Sequence, residues 1–315
     1  MKAFLTIAVS VMLAVAISPL LSAQWPDYPT ANVPLLPNGQ PNMEGPTPRT
    51  PDGKPDLSGI WALGRGGGGG GRGQRGQGRG DAGAGAARGA PATPANTPAP
   101  AQARGAAPAP TPPAANAGPP VASFFDLGSG IQGGLPYTPW AAELRRQRMA
   151  DNMKDNPDAH CLPIGLTQLH LHPQPRKIIQ TPKLIVMLYE AQGGVRQFFM
   201  DGRPLPNNDP QPWWYGYSIA HWEQDDLVVE TTGFRDDVWL DVNGSPLTTT
   251  GKMTERMRRP NYGTLQTDIT IEDPKSYTKP FTVRVNHRLM LNTDLIEFIC
   301  QENEKSSQFF EPASK

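Results

Sequence analysis

The sequence has few of the residues that build metal centres and nucleophilic sites. It contains two cysteines and five histidines in 315 residues, and neither Cys161 nor Cys300 has a second cysteine two to four residues away. A structural zinc site is therefore poorly supported. His170 and His172 have a spacing seen in metal sites when both lie on one strand face, but no glutamate follows at the distance expected of a cupin. We expect no metal and no cofactor.

Catalytic motifs are equally scarce. There is no Gly-x-Ser-x-Gly elbow, and the glycine run at residues 66–71 lacks the Lys-Ser/Thr pair that ends a phosphate-binding loop. The sequence motifs therefore do not identify an enzyme class.

Long apolar runs are also rare, and the main one opens the sequence. Lys2 precedes apolar residues from Ala3 to Ile17, and Pro19 and a Leu-Ser-Ala stretch ending at Ala23 follow. This pattern is typical of a secretory signal peptide, and we expect residues 1–23 to be removed. The alternative is a permanent membrane anchor, for which the run is short. No later segment is apolar enough to span a bilayer, so we predict a periplasmic or secreted protein without a transmembrane span.

The two cysteines are expected to pair. Two thiols in an oxidising compartment are more often bonded than free, so we predict a disulfide between Cys161 and Cys300. It would join the segment that enters the β region to the last predicted strand. Closing so long a loop stabilises a fold by about 4 to 5 kcal/mol at most.

Residues 64–120 form a Gly/Arg-rich and then Pro/Ala-rich insert without aromatic residues. Such a composition cannot bury enough apolar area to offset its conformational entropy, so we predict a disordered surface insertion. Its six arginines against one aspartate predict weak affinity for an anionic polymer of the cell envelope. Arg-Gly segments also bind RNA, but this one lacks aromatic partners and belongs to an exported chain, so we expect no nucleic-acid partner.

From residue 177 onward, apolar and polar side chains alternate with period two. This alternation is clearest in 265–272 and 281–291, and it is typical of strands with one face in a core. Turn residues separate the stretches. The predicted strands are 184–190, 195–201, 217–223, 226–234, 252–259, 264–272, 281–291 and 295–302.

These strands predict an all-β fold. Residues 55–63 and the Lys177–Ile179 stretch add two strands to an antiparallel meander, and closure would cover its apolar face and its edges. The one predicted helix is 138–155, with Thr138 as its N-cap and Asn156-Pro157 after its end. We predict a lipocalin-like barrel or half-barrel of about 8–10 strands, with this helix at one end.

The predicted domain lies between two irregular segments. An irregular arm, 24–54, precedes the first strand, the β domain continues at 121–305 after the insert, and a flexible tail occupies 306–315.

Two short motifs resemble those of lipocalin-like barrels. Residues 56–61, Asp-Leu-Ser-Gly-Ile-Trp, resemble the Gly-x-Trp signature of the first strand, and Thr293–Phe298 resembles the second motif with Leu295 in place of an aromatic residue. The resemblance implies an arginine on a later strand, and that arginine is missing.

Most of the ordered chain is similar to a family of uncharacterised exported bacterial proteins. The similarity covers most of 52–63 and 138–305 and implies no established activity. Where that family often has a histidine-containing segment, this chain has Ser245–Thr248, so any role of that histidine is absent. The matching pieces are PDLSGIW, CLPIG, IIQTP, LYE, DGRPLP, GYSIAHWEQDDLVVETTGF, ERMRRPNYG and EFICQENEK.

The densest aromatic cluster is Trp213-Trp214-Tyr215, followed by Tyr217 and Trp222. Such rings either pack in a core or bind a sugar, an aromatic molecule or an apolar guest. Arg203 either belongs to a turn or points at an anion at the barrel mouth.

Charged and imidazole groups on the strands are the other candidates. His221 and His287 are each either a buried histidine with one hydrogen bond or a polar group in a barrel cavity. Glu255 and Arg256 either fix a polar ligand or form cross-strand ion pairs.

The leading hypothesis is an exported module that binds a small apolar or aromatic ligand. The alternatives are a barrel-type hydrolase or isomerase, which would use His221 or His287 with Glu255 and an arginine, and a cell-envelope interaction protein that would use residues 64–120. The candidate ligand-binding residues are Arg203, Trp213, Trp214, Tyr217, His221, Trp222, Glu255, Arg256 and His287.

Overall fold

The computed structural model describes residues 28–64, 118–206 and 211–302. They belong to one compact unit, residues 1–65 with 118–315, whereas the second unit, 66–117, lies outside the described residues. The predicted signal peptide, most of the predicted insert and the predicted tail also lie outside them.

The strands are β1 (Gly59–Leu63), β2 (Arg176–Gln180), β3 (Leu184–Tyr189), β4 (Val195–Phe199), β5 (Tyr217–Glu223), β6 (Asp226–Thr232), β7 (Val238–Trp239), β8 (Pro246–Leu247), β9 (Lys252–Asn261), β10 (Thr264–Glu272) and β11 (Phe281–Met290).

Nine of these strands form a closed barrel in the order β1-β11-β10-β9-β6-β5-β4-β3-β2, and β7 and β8 form a separate hairpin. The predicted all-β barrel is confirmed. One seam departs from the predicted antiparallel meander, because β4 and β5 are parallel neighbours. The chain between them must return to the end of the barrel at which β4 began.

The alternation predicted for β10 and β11 is confirmed. Side chains at odd positions from Leu265 to Ile271 and from Phe281 to Leu289 are buried, and most of those between them are partly exposed. Leu265 lies opposite His287 and Ile269 opposite Val283 across the two strands. Each fully buried aliphatic side chain stabilises the fold by about 1.5–3 kcal/mol.

Helix α1 (Pro139–Ala150) begins as predicted, because the Thr138 hydroxyl accepts a hydrogen bond from the Ala141 amide at 3.2 Å. Its predicted end at residue 155 is wrong. Asn152 and Met153 adopt positive φ angles of 55° and 53°, which the helix cannot continue through.

Helix α2 (Leu166–Leu171) was not predicted, and all six of its side chains are buried. Residues 170–172, which we placed on a strand, instead end this helix. α2 lies at the end of the barrel where β2 and β5 begin, and the Thr167 hydroxyl donates to the Leu240 carbonyl at 2.5 Å. α1 begins near the same end, because the Thr138 amide donates to the Ser276 carbonyl, in the loop between β10 and β11, at 2.9 Å. No helix in the three described ranges is long and apolar enough to cross a bilayer.

The irregular arm before β1 contacts the opposite end of the barrel. The Thr47 hydroxyl donates to the Arg259 carbonyl at 2.6 Å, and the Tyr262 amide donates to the Gly45 carbonyl at 2.8 Å. These bonds attach the arm to the end of β9 and the turn that follows it.

An arginine does lie over the tryptophan of the Gly-x-Trp motif. Arg259 of β9 places its guanidinium 4.9 Å from the ring centre of Trp61 and donates to the carbonyls of Asp56 and Tyr262. Arg259 comes from an earlier strand than the resemblance implies, so it does not supply the arginine expected on a later strand.

The predicted strand 295–302 is wrong. β11 pairs with β10 on one edge and with β1 on the other, so it offers no free edge to a further strand. The predicted disulfide is confirmed, with the Cα atoms of Cys161 and Cys300 5.4 Å apart. Cys300 lies in a turn after β11 and not on the last strand.

Candidate functional site

A groove opens in the barrel wall at the parallel seam. β4 pairs with β3 through five residues and β5 with β6 through seven, but β4 and β5 share only two pairs. A groove of about 390 Å³ lies there, within the range of small-molecule sites. We call it the aromatic groove, and its lining residues are Pro163, Val195, Arg196, Gln197, Phe199, Trp213, Trp214, Tyr215, Gly216, Tyr217 and Ser218.

Three rings form a continuous row along the groove. Phe199 stacks on Tyr217 with ring centres 5.1 Å apart, and Trp213 contacts the same tyrosine at 5.5 Å. Trp213 is held by its backbone, whose amide donates to the Gly233 carbonyl at 2.8 Å. The row therefore joins β4, β5 and the chain before β5 into one apolar wall.

Gly216 permits the close approach of this chain to β6. Its φ is +64°, and a Cβ atom would lie 2.6 Å from the Cγ2 atom of Thr231. Only glycine fits both conditions without strain. The positions of Tyr215 and Tyr217, on either side, depend on it.

Arg203 lies on the rim of the groove. Its guanidinium is 3.9 Å from the ring centre of Phe199, donates to the Tyr217 hydroxyl at 3.1 Å and is paired with the carboxylate of Asp201. This predicted candidate therefore supports two of the rings.

Arg196 and Ser218 line the groove and are themselves buried. Arg196 donates to both carboxylate oxygens of Glu255, at 3.0 Å from Nη1 to Oε1, and to the Thr231 hydroxyl at 2.8 Å. The Ser218 hydroxyl lies 3.2 Å from Nη2 of the same arginine. Every nitrogen of Arg196 thus has a partner inside the barrel.

Glu255 also accepts a hydrogen bond from His170 of α2, whose Nε2 lies 2.7 Å from Oε1. Burial alone would raise the pKa of Glu255, but the charge of Arg196 and the bond from His170 lower it to about 2. Burial lowers the pKa of His170, so its imidazole is neutral at pH 7 and carries its proton on Nε2.

Arg176 and His287 extend this buried network toward the end of α2. Arg176 donates to the carbonyls of His170 and His172, where the negative end of the helix dipole lies, and contacts Nε2 of His287. Burial, with Arg176 beside it, lowers the pKa of His287 well below its ordinary value. Burial also lowers the pKa of Arg176, to about 10.

The Arg196–Glu255 pair holds the wall of the groove without offering a free charge there. Both oxygens of Glu255 are occupied, and its ionised form is favoured far below neutral pH. A carboxylate so placed is a poor general base at neutral pH. The groove therefore presents rings and paired charges.

The remaining predicted candidates lie elsewhere. His221 and Arg256 project from the outer face, where both contact Glu223. Trp222 is partly buried and lies 5.9 Å from the Lys54 ammonium. The structure thus separates His221 from Glu255, and the hydrolase or isomerase set that includes His221 is not assembled.

Glu255 and His287 are buried inside the barrel rather than in the groove, and His170 lies between them, with its ring centre 6.1 Å from that of His287. In the described part of the chain, no three His, Cys, Asp or Glu side chains are grouped so that they could hold a metal ion.

Two larger clefts lie elsewhere on the described part of the chain. One, of about 680 Å³, lies between the arm and β11, where the basic residues Arg49 and Lys177 are paired with Asp225 and Asp294. The other, of about 740 Å³, lies beside α1 and is rich in aspartates on exposed loops. Neither combines an apolar wall with a buried polar floor.

Sequence reasoning missed Arg196, Ser218 and Phe199. Arg196 shares a strand face with Phe198, and an arginine in phase with apolar residues signals a buried ion pair. That signal could have singled it out.

No protein-family model, no curated protein and no solved structure matches this chain.

Proposed function

We propose that this protein is an exported module that binds a small, uncharged apolar or aromatic molecule in the aromatic groove. The observation that carries the proposal is the opening at the β4–β5 seam, whose wall is a row of three rings and whose floor is the buried Arg196. Aromatic side chains with few polar groups are the usual lining of small-molecule sites. The signal-peptide pattern and the disulfide support export.

The preference for an uncharged ligand follows from the charges around the groove. Arg196 is neutralised by Glu255 and Arg203 by Asp201, and the lining residues include no acidic side chain. A charged ligand would lose its hydration without gaining a partner of opposite charge.

Fluorescence titration with the uncharged probe N-phenyl-1-naphthylamine tests this proposal. We expect saturable binding of one probe per chain and at least ~5-fold weaker binding by Trp213→Ala, since one stacking ring contributes about 1 kcal/mol or more. Trp140→Ala is the matched control, because Trp140 is also exposed, at 44% against 37% for Trp213, and lies on α1 away from the groove.

Equal loss of binding in both variants would show that the probe adsorbs to exposed tryptophans in general. Unchanged binding in Trp213→Ala would place the ligand elsewhere and overturn the proposal.

A further inference from the structure

The segment after β11 follows a defined path over the outside of the barrel. The Asn292 amide donates to the Thr30 hydroxyl at 2.9 Å, and Asp294 pairs with Lys177 of β2 at 2.8 Å. The Ile296 amide then donates to Glu190, just after β3, at 3.1 Å. The segment thus crosses β2 and β3 in the direction of β4.

The disulfide brings the end of this path to the aromatic groove. Cys300 is bonded to Cys161 with Cα atoms 5.4 Å apart, and Pro163, two residues after Cys161, lines the groove. Two residues span at most about 7 Å. The chain after Cys300 therefore starts beside the groove.

Exposed apolar side chains lie beside the disulfide and in the groove lining. Leu162 and Ile299, next to the two cysteines, and Val195, in the groove lining, are exposed by 45%, 53% and 53%. Exposed aliphatic residues on both sides of the disulfide leave apolar surface for a further segment to cover.

The chain that continues from this point has a matching composition. Residues 303–315, outside the described ranges, contain an adjacent pair of aromatic residues, Phe309-Phe310, among mostly polar neighbours. Eight residues separate Cys300 from Phe309, and the nine extended steps between these two residues span about 30 Å. The phenylalanine pair can therefore reach the whole groove.

We propose that Phe309 and Phe310 bind in the aromatic groove as an occupant supplied by the chain itself, in competition with the ligand; this inference rests on the proposed function. Phenylalanine rings are uncharged and match the groove in chemistry. Because the occupant belongs to the same chain and the disulfide anchors it beside the groove, its effective concentration is roughly 1 mM, and even a weak contact would keep the groove partly filled.

The test compares the affinity for N-phenyl-1-naphthylamine of the full chain and of Phe309→Ala/Phe310→Ala. If the isolated segment binds with a Kd of roughly 100 µM, removal of the rings raises the probe affinity about 10-fold. Ser306→Ala/Ser307→Ala is the matched control in the same segment, and we expect it to leave the affinity unchanged. A peptide of residues 303–315, added to the Phe309→Ala/Phe310→Ala variant, should displace the probe.

The possible results separate the two proposals. Equal probe affinity in the full chain and in Phe309→Ala/Phe310→Ala overturns the inference and leaves the proposed function standing. No probe binding by either protein overturns the proposed function. An effect of the phenylalanines that appears only at high protein concentration would indicate exchange between two copies, and would overturn the intramolecular contact.

Discussion

Arg196 and Glu255 form a bidentate ion pair inside the barrel, and the same arginine lines the aromatic groove. The two side chains are 1% and 0% exposed. They come from β4 and β9, which are not neighbours in the ring, so the pair spans the interior. A buried charge that loses its partner is costly, whereas removal of both charges often is not.

Glu255→Gln is therefore expected to lower the free energy of unfolding by about 3–5 kcal/mol, because it leaves Arg196 buried without a carboxylate. The double variant Arg196→Met/Glu255→Leu should lose clearly less, since neither charge of the pair remains in the interior without its partner. Urea unfolding followed by circular dichroism measures both. A double variant as unstable as the single one would mean that shape, and not charge compensation, dominates at this position.

His287 predicts a loss of stability at mildly acidic pH. Its folded pKa lies well below 6.5, the ordinary value, because of burial and of Arg176. Below pH 6.5 the unfolded chain therefore binds a proton that the folded chain does not, and stability falls as the pH decreases. The neighbouring His170 acts in the same direction, whereas Glu255, with a pKa of about 2, does not titrate in this range.

Unfolding free energies measured at pH 7.5 and 5.5 check this dependence. His287→Gln should reduce the slope by up to about 1.4 kcal/mol per pH unit. Val285→Ala, at a buried position of the same strand without a titratable group, is the control and should leave the slope as it is. If His287→Gln has the full slope of the unmodified protein, the acid sensitivity arises at another group.

The fold class could be predicted because its signal is local. Leu265–Ile271 alternates strictly between apolar and polar residues, and such a stretch has one way to face a core. The start of α1 is also a local signal, because the N-cap Thr138 and the first helical residue, Pro139, are adjacent in the sequence. The disulfide could be predicted because the sequence has only two cysteines and its signal-peptide pattern indicates an oxidising compartment.

The seam and the network could not be predicted because they depend on distant contacts. α2 has only six residues, too few to establish a helical period, and its polar residues Thr167, Gln168 and His170 are buried together with its leucines. Arg196 meets Glu255 59 residues later in the chain, and nothing local indicates that pairing. The apolar residues of 295–302 looked like a strand, but the edge of β11 was already taken by β1.

Gly216 is the position at which the backbone itself shapes the aromatic groove. It combines a φ of +64° with a Cβ direction that meets the Thr231 side chain at 2.6 Å and the Thr232 carbonyl at 2.8 Å. Gly202 has a comparable φ of +81°, but a Cβ atom there would meet nothing within 4 Å. An alanine at Gly202 therefore introduces backbone strain alone, whereas an alanine at Gly216 introduces backbone strain and a steric clash.

Gly202→Ala should cost about 1 kcal/mol, the usual penalty of a left-handed alanine. Gly216→Ala should cost that amount and a further ~1–3 kcal/mol of overpacking, because β6 cannot move away from the contact without disturbing the barrel. Differential scanning calorimetry measures the stability of both variants, and probe titration measures the groove. We expect weaker probe binding only in Gly216→Ala, since relief of the clash must shift Tyr215 and Tyr217. Equal stability and equal probe affinity in the two variants would show that the chain before β5 adjusts freely, and that the close approach at Gly216 does not set the shape of the groove.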